Sequence, residues 1–264
     1  MQKSKVETIN FNSEVLSKEM AIKVYLPKEY EDIEALPVLY FLHGRSQNEN
    51  IMEEMDIRIK ADKLIEKGEI EPLIIVCPRI DNSHGVNSSF SYKELLEPGD
   101  SGRIMNLGRY EDYFIKEVVP FIDKTFNTIK DRRGRYIGGI SAGGYAALHN
   151  AFRHQNMFSK VGGHMPALEL RLEEEDKAYY SDENAWNKYN PIYIASNNDI
   201  FNMKVYLDAG DKDEGEFYKG CSILYKILEE KKVNCENYIF IGNHSGEYIK
   251  SNMEKYLKFY NEER

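Results

Sequence analysis

The chain has 264 residues, 42% of them hydrophobic and 30% charged, with a formal net charge of −9. That balance describes a soluble globular protein with enough length to bury a large core, and it argues against a disordered or fibrous one. The acidic excess excludes non-specific nucleic-acid binding, which needs a basic face. No apolar run approaches the ~18 residues needed to cross a bilayer. Cys77, Cys221 and Cys235 are odd in number and widely spaced, which suggests neither a disulfide framework nor a zinc site. The polar start, Met1-Gln2-Lys3-Ser4-Lys5, lacks the apolar core of a secretory signal and points to a cytoplasmic protein.

Residues 5–11 and 20–26 alternate apolar and polar side chains, the pattern of half-exposed strands paired antiparallel at a sheet edge. Pro37–Leu42 and Pro72–Pro78 are continuous apolar runs, expected of strands covered on both faces. A helix is expected over 54–67, closed by Gly68. Residues 79–108 are polar and weakly periodic, so they read as a binding loop or lid. A helix over 110–126 should kink at Pro120. Short strands follow at 135–138, 158–163, 203–209 and 238–241, and helices after position 141 and over 216–231 and 246–260. Residues 164–200 form a second insertion. Strands alternating with helices imply an α/β fold: a mostly parallel sheet with helices on both faces. The loops after the strands then collect on one rim, where ligands bind. All of this fits one domain spanning 1–264, its two insertions over the active-site rim.

Gly139-Ile140-Ser141-Ala142-Gly143 reads G-x-S-x-G between an expected strand and an expected helix. A serine at such a turn is exposed at the sheet edge, with glycines where a side chain would strike the packed elements. The helix N-terminus then faces any negative charge forming there. Serine needs a base, commonly histidine oriented by a carboxylate, in the chain order Ser, acid, His. Of the histidines after Ser141, His149 and His154 fall in or just past the helix, and His164 precedes any plausible acid. His244, in the loop between the last strand and last helix, is the candidate base. Asp208, Asp211 and Asp213 compete as the acid. Asp208 is still within its strand, and turn alternation aims only one of the other two inward, with Asp213 preferred over Asp211. Backbone N–H groups of Ala142 and Arg45 are the candidate oxyanion donors.

Leu42-His43-Gly44, the serine turn, Gly210-x-x-Asp213 and Gly242-x-His244, in this order, resemble the esterase group of α/β-hydrolases. That group contains feruloyl esterases, S-formylglutathione hydrolases, siderophore esterases and mycolyltransferases. The Tyr110–Pro120 and Asn190–Ala195 segments are similar as well. The resemblance implies Ser141 as nucleophile, His244 as base, Asp213 as its orienting acid, and an oxyanion hole from the N–H groups of Arg45 and Ala142. It implies a small ester substrate and no cofactor or metal. The same triad serves acyl transfer and thioester hydrolysis, and the fold also occurs in catalytically silent binding modules. Ala142, where relatives often have Met, and His164-Met165-Pro166, where many carry a serine and a small residue, depart from the pattern. His43, His164 and Trp186 are candidates for substrate contact, Trp186 as part of an aromatic wall with the tyrosines of the second insertion. Arg79, Asn82 and His84 are candidates to reach the pocket from the long loop. Glu173–Asp176 reads as a solvated charge run.

Overall fold

The computed structural model describes residues 3–97 and 102–262. Its elements in chain order are β1 (Lys5–Ser13), β2 (Lys18–Leu26), β3 (Val38–Leu42), α1 (Ile51–Glu54), α2 (Ile57–Glu66), β4 (Ile74–Pro78), β5 (Lys93–Leu96), β6 (Ile104–Leu107), α3 (Tyr110–Tyr113) and α4 (Val119–Thr125). There follow β7 (Arg135–Ile140), α5 (Ala142–Arg153), β8 (Lys160–His164), α6 (Glu183–Tyr189), α7 (Pro191–Asn197), β9 (Lys204–Gly210), α8 (Phe217–Glu230), β10 (Asn234–Phe240) and α9 (Gly246–Asn261).

One sheet carries the molecule in the order β1-β2-β4-β3-β7-β8-β9-β10. β1 pairs antiparallel with β2 and β2 antiparallel with β4; every later pairing is parallel. β3, β4, β7 and β8 are buried along their length and β9 at all but its first residue, because helices cover both faces, while β10 at the parallel edge is half-exposed to exposed. β3 shows the consequence residue by residue. Val38, Tyr40 and Leu42 join the core under α3, α4, α5 and α8, while Leu39 and Phe41 join the core under α2 and α9. The fold is that of an α/β-hydrolase, as expected, with its antiparallel pair at one edge.

Local departures from the expectations have physical causes. The 79–108 stretch is not wholly irregular: β5 and β6 pair antiparallel as a separate hairpin, and residues 98–101 lie outside the described residues. Its weak pattern reflects β5, exposed at every position, which has no core face to impose alternation. In place of a kink at Pro120, Phe114–Val118 forms a π-helical turn between α3 and α4. A wider turn there accommodates a proline that has no N–H for the helix ladder. The second insertion contains α6 and α7, each started by a side-chain cap, Asp182 to Ala185 N–H and Asn190 to Ile192 N–H.

Candidate active site

The serine turn is built as its small residues require. β7 ends at Ile140 and α5 begins at Ala142, leaving Ser141 between them at φ 52° and ψ −119°. This is a strained conformation for a residue with a side chain. A Cβ on Gly143 would lie 2.4 Å from the carbonyl oxygens of Leu42 and His43, and one on Gly139 would lie 2.5 Å from Gly143 O. The helix start, the end of β7 and the loop after β3 thus touch backbone to backbone. Ser141 N–H donates to His164 O at 3.1 Å, and Ser141 O accepts from Tyr145 N–H and Ala167 N–H at 3.0 Å each.

Three side chains converge at this turn. Ser141 Oγ lies 2.9 Å from His244 Nε2, and His244 Nδ1 lies 2.9 Å from Asp213 Oδ2. The second oxygen of Asp213 accepts from Gly215 N–H at 2.9 Å, so the buried carboxylate is held at both oxygens. Phe217, opening α8, sets its ring edge-on to the imidazole at 5.3 Å. The other two aspartates are placed elsewhere. Asp211 points back to accept from Gly242 N–H at 2.9 Å. Asp208 is fully buried below the rim and accepts from the Tyr248 and Tyr256 hydroxyls.

A cavity of about 330 Å³ opens over Ser141 and His244. Its walls come from the loop after β3 (Gly44, Arg45, Gln47), the turn itself (Ile140, Ala142), the segment after β8 (Met165, Ala167, Glu169) and the start of α9 (Ser245, Gly246, Ile249). Among the described residues, the backbone N–H groups of Arg45 and Ala142 are given to no protein acceptor. Ala142 is the first residue of α5, where an N–H has no partner within the helix.

His43, His164 and Trp186 do not line this cavity. His43 is buried; its Nε2 accepts from Ile80 N–H at 2.9 Å, so Nδ1 carries the proton and donates to Gly44 O at 2.9 Å. Burial lowers its pKa and keeps the ring neutral. In a trans peptide the carbonyl and the following N–H point in opposite directions. A His43 anchor on Gly44 O therefore turns Arg45 N–H the other way. This structural use of His43 was hidden in the sequence, where only a histidine before a glycine was visible. His164 is fully buried beneath the turn, stacked on Tyr256 at 3.7 Å with Nε2 2.9 Å from Tyr260 OH. Trp186 packs in the core between α6 and its neighbours, because an indole on a short amphipathic helix has more apolar surface to bury there than at the rim.

Part of the cavity wall is charged. The Arg45 guanidinium is taken up by Glu97 at 2.9 Å, Glu175 at 3.2 Å, Asp176 at 2.8 Å and His84 Nε2 at 2.8 Å. Arg103, which also lines the cavity, pairs with Glu97 at 2.5 Å. Asp176 is buried, so the acidic run expected to be solvated has one member inside. Burial first, and then the facing Asp176, push the Glu169 carboxyl up to about 9. Of the long-loop candidates, Arg79 is held by Glu49 and Asn82 caps the hairpin and Ser46 N–H, while His84 stands behind Arg45. Among the described residues no group of three or more His, Cys, Asp or Glu could hold a metal ion, and no helix is long and apolar enough to cross a membrane.

A mostly parallel sheet with helices on both faces and a strained serine at a strand-to-helix turn define an α/β-hydrolase. The chain belongs to the family described as "Putative esterase", which matches residues 13–253. A stretch of 166 residues is 31% identical to an endo-1,4-beta-xylanase/feruloyl esterase of Xylanibacter ruminicola, covering 60% of this chain but only 21% of that larger protein. An acetyl esterase of Caldicellulosiruptor saccharolyticus is 24% identical over 85% of this chain and 82% of its own length. A ferulic acid esterase structure superposes with a TM-score of 0.81 at 25% identity, over 99% of this chain and 98% of the other. An S-formylglutathione hydrolase from Agrobacterium tumefaciens shares the fold with a TM-score of 0.78 at 19% identity, over 99% and 96% of the two chains.

Proposed function

We propose that the protein is a serine carboxylesterase, working through a Ser141–His244–Asp213 triad and an acyl-enzyme. The observation that carries this reading is the unbroken line from Ser141 Oγ through the imidazole to a buried carboxylate, 2.9 Å at each step, at the floor of a cavity. Asp213 holds the proton on Nδ1, so Nε2 accepts the proton of Ser141 as its oxygen attacks the ester carbonyl carbon. The negative charge then forms on the carbonyl oxygen, beside the N–H groups of Arg45 and Ala142. Each such donor is typically worth ~3 kcal/mol of barrier. The imidazolium gives its proton to the departing alcohol, leaving the acyl group on Ser141. Water repeats the sequence with His244 as base and releases the acid.

The cavity wall supports uncharged leaving groups. Among the described lining residues, the Arg45 and Arg103 guanidinium groups are already paired with carboxylates, and Glu175 faces the same space beside a Glu169 carboxyl that burial keeps protonated at neutral pH. A carboxylate on the substrate meets the Glu175 carboxylate and, among the described residues, no unengaged cation. This favours short-acyl or aryl esters of neutral alcohols over glutathione thioesters, whose peptide carries two carboxylates. The test is a set of acetyl esters that differ only in the charge of the alcohol. A carboxylate on the alcohol should lower kcat/KM about tenfold or more, equivalent to ~1.4 kcal/mol, and salt should relieve the loss. Equal turnover of neutral and anionic esters would overturn the charge argument. No turnover of any ester, together with no labelling by a fluorophosphonate, would overturn the hydrolase reading.

A further inference from the structure

Asp208, left out of the triad, sits at a junction between the segments that carry it. Its backbone O accepts from Met165 N–H at 2.9 Å, one residue beyond His164, whose own O receives Ser141 N–H. Along β9 it leads, through Gly210, to the turn that holds Asp213. Its Oδ2 accepts two phenol hydroxyls from α9, Tyr248 and Tyr256, both at 2.8 Å. Burial first, and Asp208 second, push both phenols well above their ordinary pKa, so both remain donors.

The two tyrosines make the same bond from different places. Tyr248 is in the first turn of α9 and is tied to the His244 loop at two further points. Its N–H donates to the Oγ of Ser245, the residue after His244, at 3.3 Å. Its ring lies so close to Gly242 that a Cβ there would be 2.7 Å away. Tyr256 lies two turns further along the helix and stacks on His164, with no such contact to the loop. We propose that Tyr248 is a positioning residue for His244: its hydroxyl on Asp208 fixes the first turn of α9, and with it the imidazole, relative to Ser141 and Asp213. This rests on the triad reading above. A displacement of about 1 Å in a catalytic group is enough to cost up to about a hundredfold in rate.

Tyr248→Phe and Tyr256→Phe form a matched pair, because each keeps its ring and removes a bond of equal length to the same oxygen. Both should lower Tm by a similar amount. Only Y248F should lower kcat, by about tenfold with KM within about twofold, while Y256F keeps kcat within about twofold. The low-field proton NMR signal of His244 Nδ1–H should broaden or shift in Y248F and be unchanged in Y256F. Equal kcat losses in the two variants, or an undisturbed signal in Y248F, would overturn the positioning role. The signal needs no turnover. It therefore decides this point even if the wild-type protein neither hydrolyses esters nor reacts with a fluorophosphonate, the result that would sink the hydrolase reading instead.

Discussion

Replacing Asp213 by Asn tests how the carboxylate acts. Gly215 N–H donates to Asp213 Oδ1 at 2.9 Å, while Oδ2 faces His244 Nδ1. In the variant that N–H claims the amide oxygen, so the amide NH2 takes the position of Oδ2. A donor then faces Nδ1 and forces it to accept, which moves the ring proton to Nε2. The imidazole now presents a hydrogen to Ser141 Oγ and no longer a lone pair. Such a tautomer change with otherwise intact geometry costs about 10⁴ in kcat, or ~5.4 kcal/mol, and leaves KM nearly unchanged. Steady-state hydrolysis of p-nitrophenyl acetate reads the effect directly. Asp211→Asn is the control, since an amide oxygen can still accept from Gly242 N–H, and it should stay within about threefold of wild type. An Asp213→Asn enzyme within tenfold of wild type would refute the reasoning, and a comparable loss in Asp211→Asn would move the role of the acid to that residue.

Gly143→Ala places a methyl 2.4 Å from two backbone oxygens. It should lower Tm, with a stability loss of about 2 kcal/mol or more, and abolish esterase activity, because the oxyanion loop must move away; thermal melts and turnover check both. Glu111, in α3, accepts from His149 and His154 and from Arg153 at the end of α5. Burial opposes its charge, yet these partners hold the carboxyl well below its usual range. Glu111→Ala should destabilise by about 3 kcal/mol in urea unfolding, by stranding the groups that surround it. Glu169, pushed from 4.5 up to about 9, binds its proton more tightly folded than unfolded. Its contribution to stability is complete below pH 4.5 and is lost as the pH rises through about 9. The Tm of wild type minus that of Glu169→Gln should therefore fall across this window and be flat below it; a difference that rises with pH would contradict the sign.

Much of the architecture was legible because burial imposes pattern. The apolar runs of β3 and β4 and the small residues around Ser141 have no other good reading. Chain order and the loops that end on one rim pointed to Ser141 and His244 and left Asp211 and Asp213 to compete as the acid, with turn alternation and the family resemblance favouring Asp213. What escaped had no periodic signature. β5 has no buried face, so its pairing with β6 left no alternation to read. Asp176 looked like one more solvated acid, and only the folded chain brings Arg45 to it across 131 positions. His43 and His164 invited a binding role because histidines near a rim can bind. In three dimensions the His43 ring is taken up by Ile80 N–H and the neighbouring Gly44 O, and the His164 ring by Tyr260, 96 positions away. Trp186 was open between core and wall, and the short helix carrying it resolves that in favour of the core.

Ser141 as an activated nucleophile is the centre of the proposed chemistry, and intact-mass analysis after treatment with a fluorophosphonate tests it most directly. The wild-type protein should gain one adduct, mapped by peptide sequencing to Ser141, while His244→Ala reacts far more slowly and Ser141→Ala not at all. An unmodified wild-type protein, or an adduct on any other residue, would contradict it.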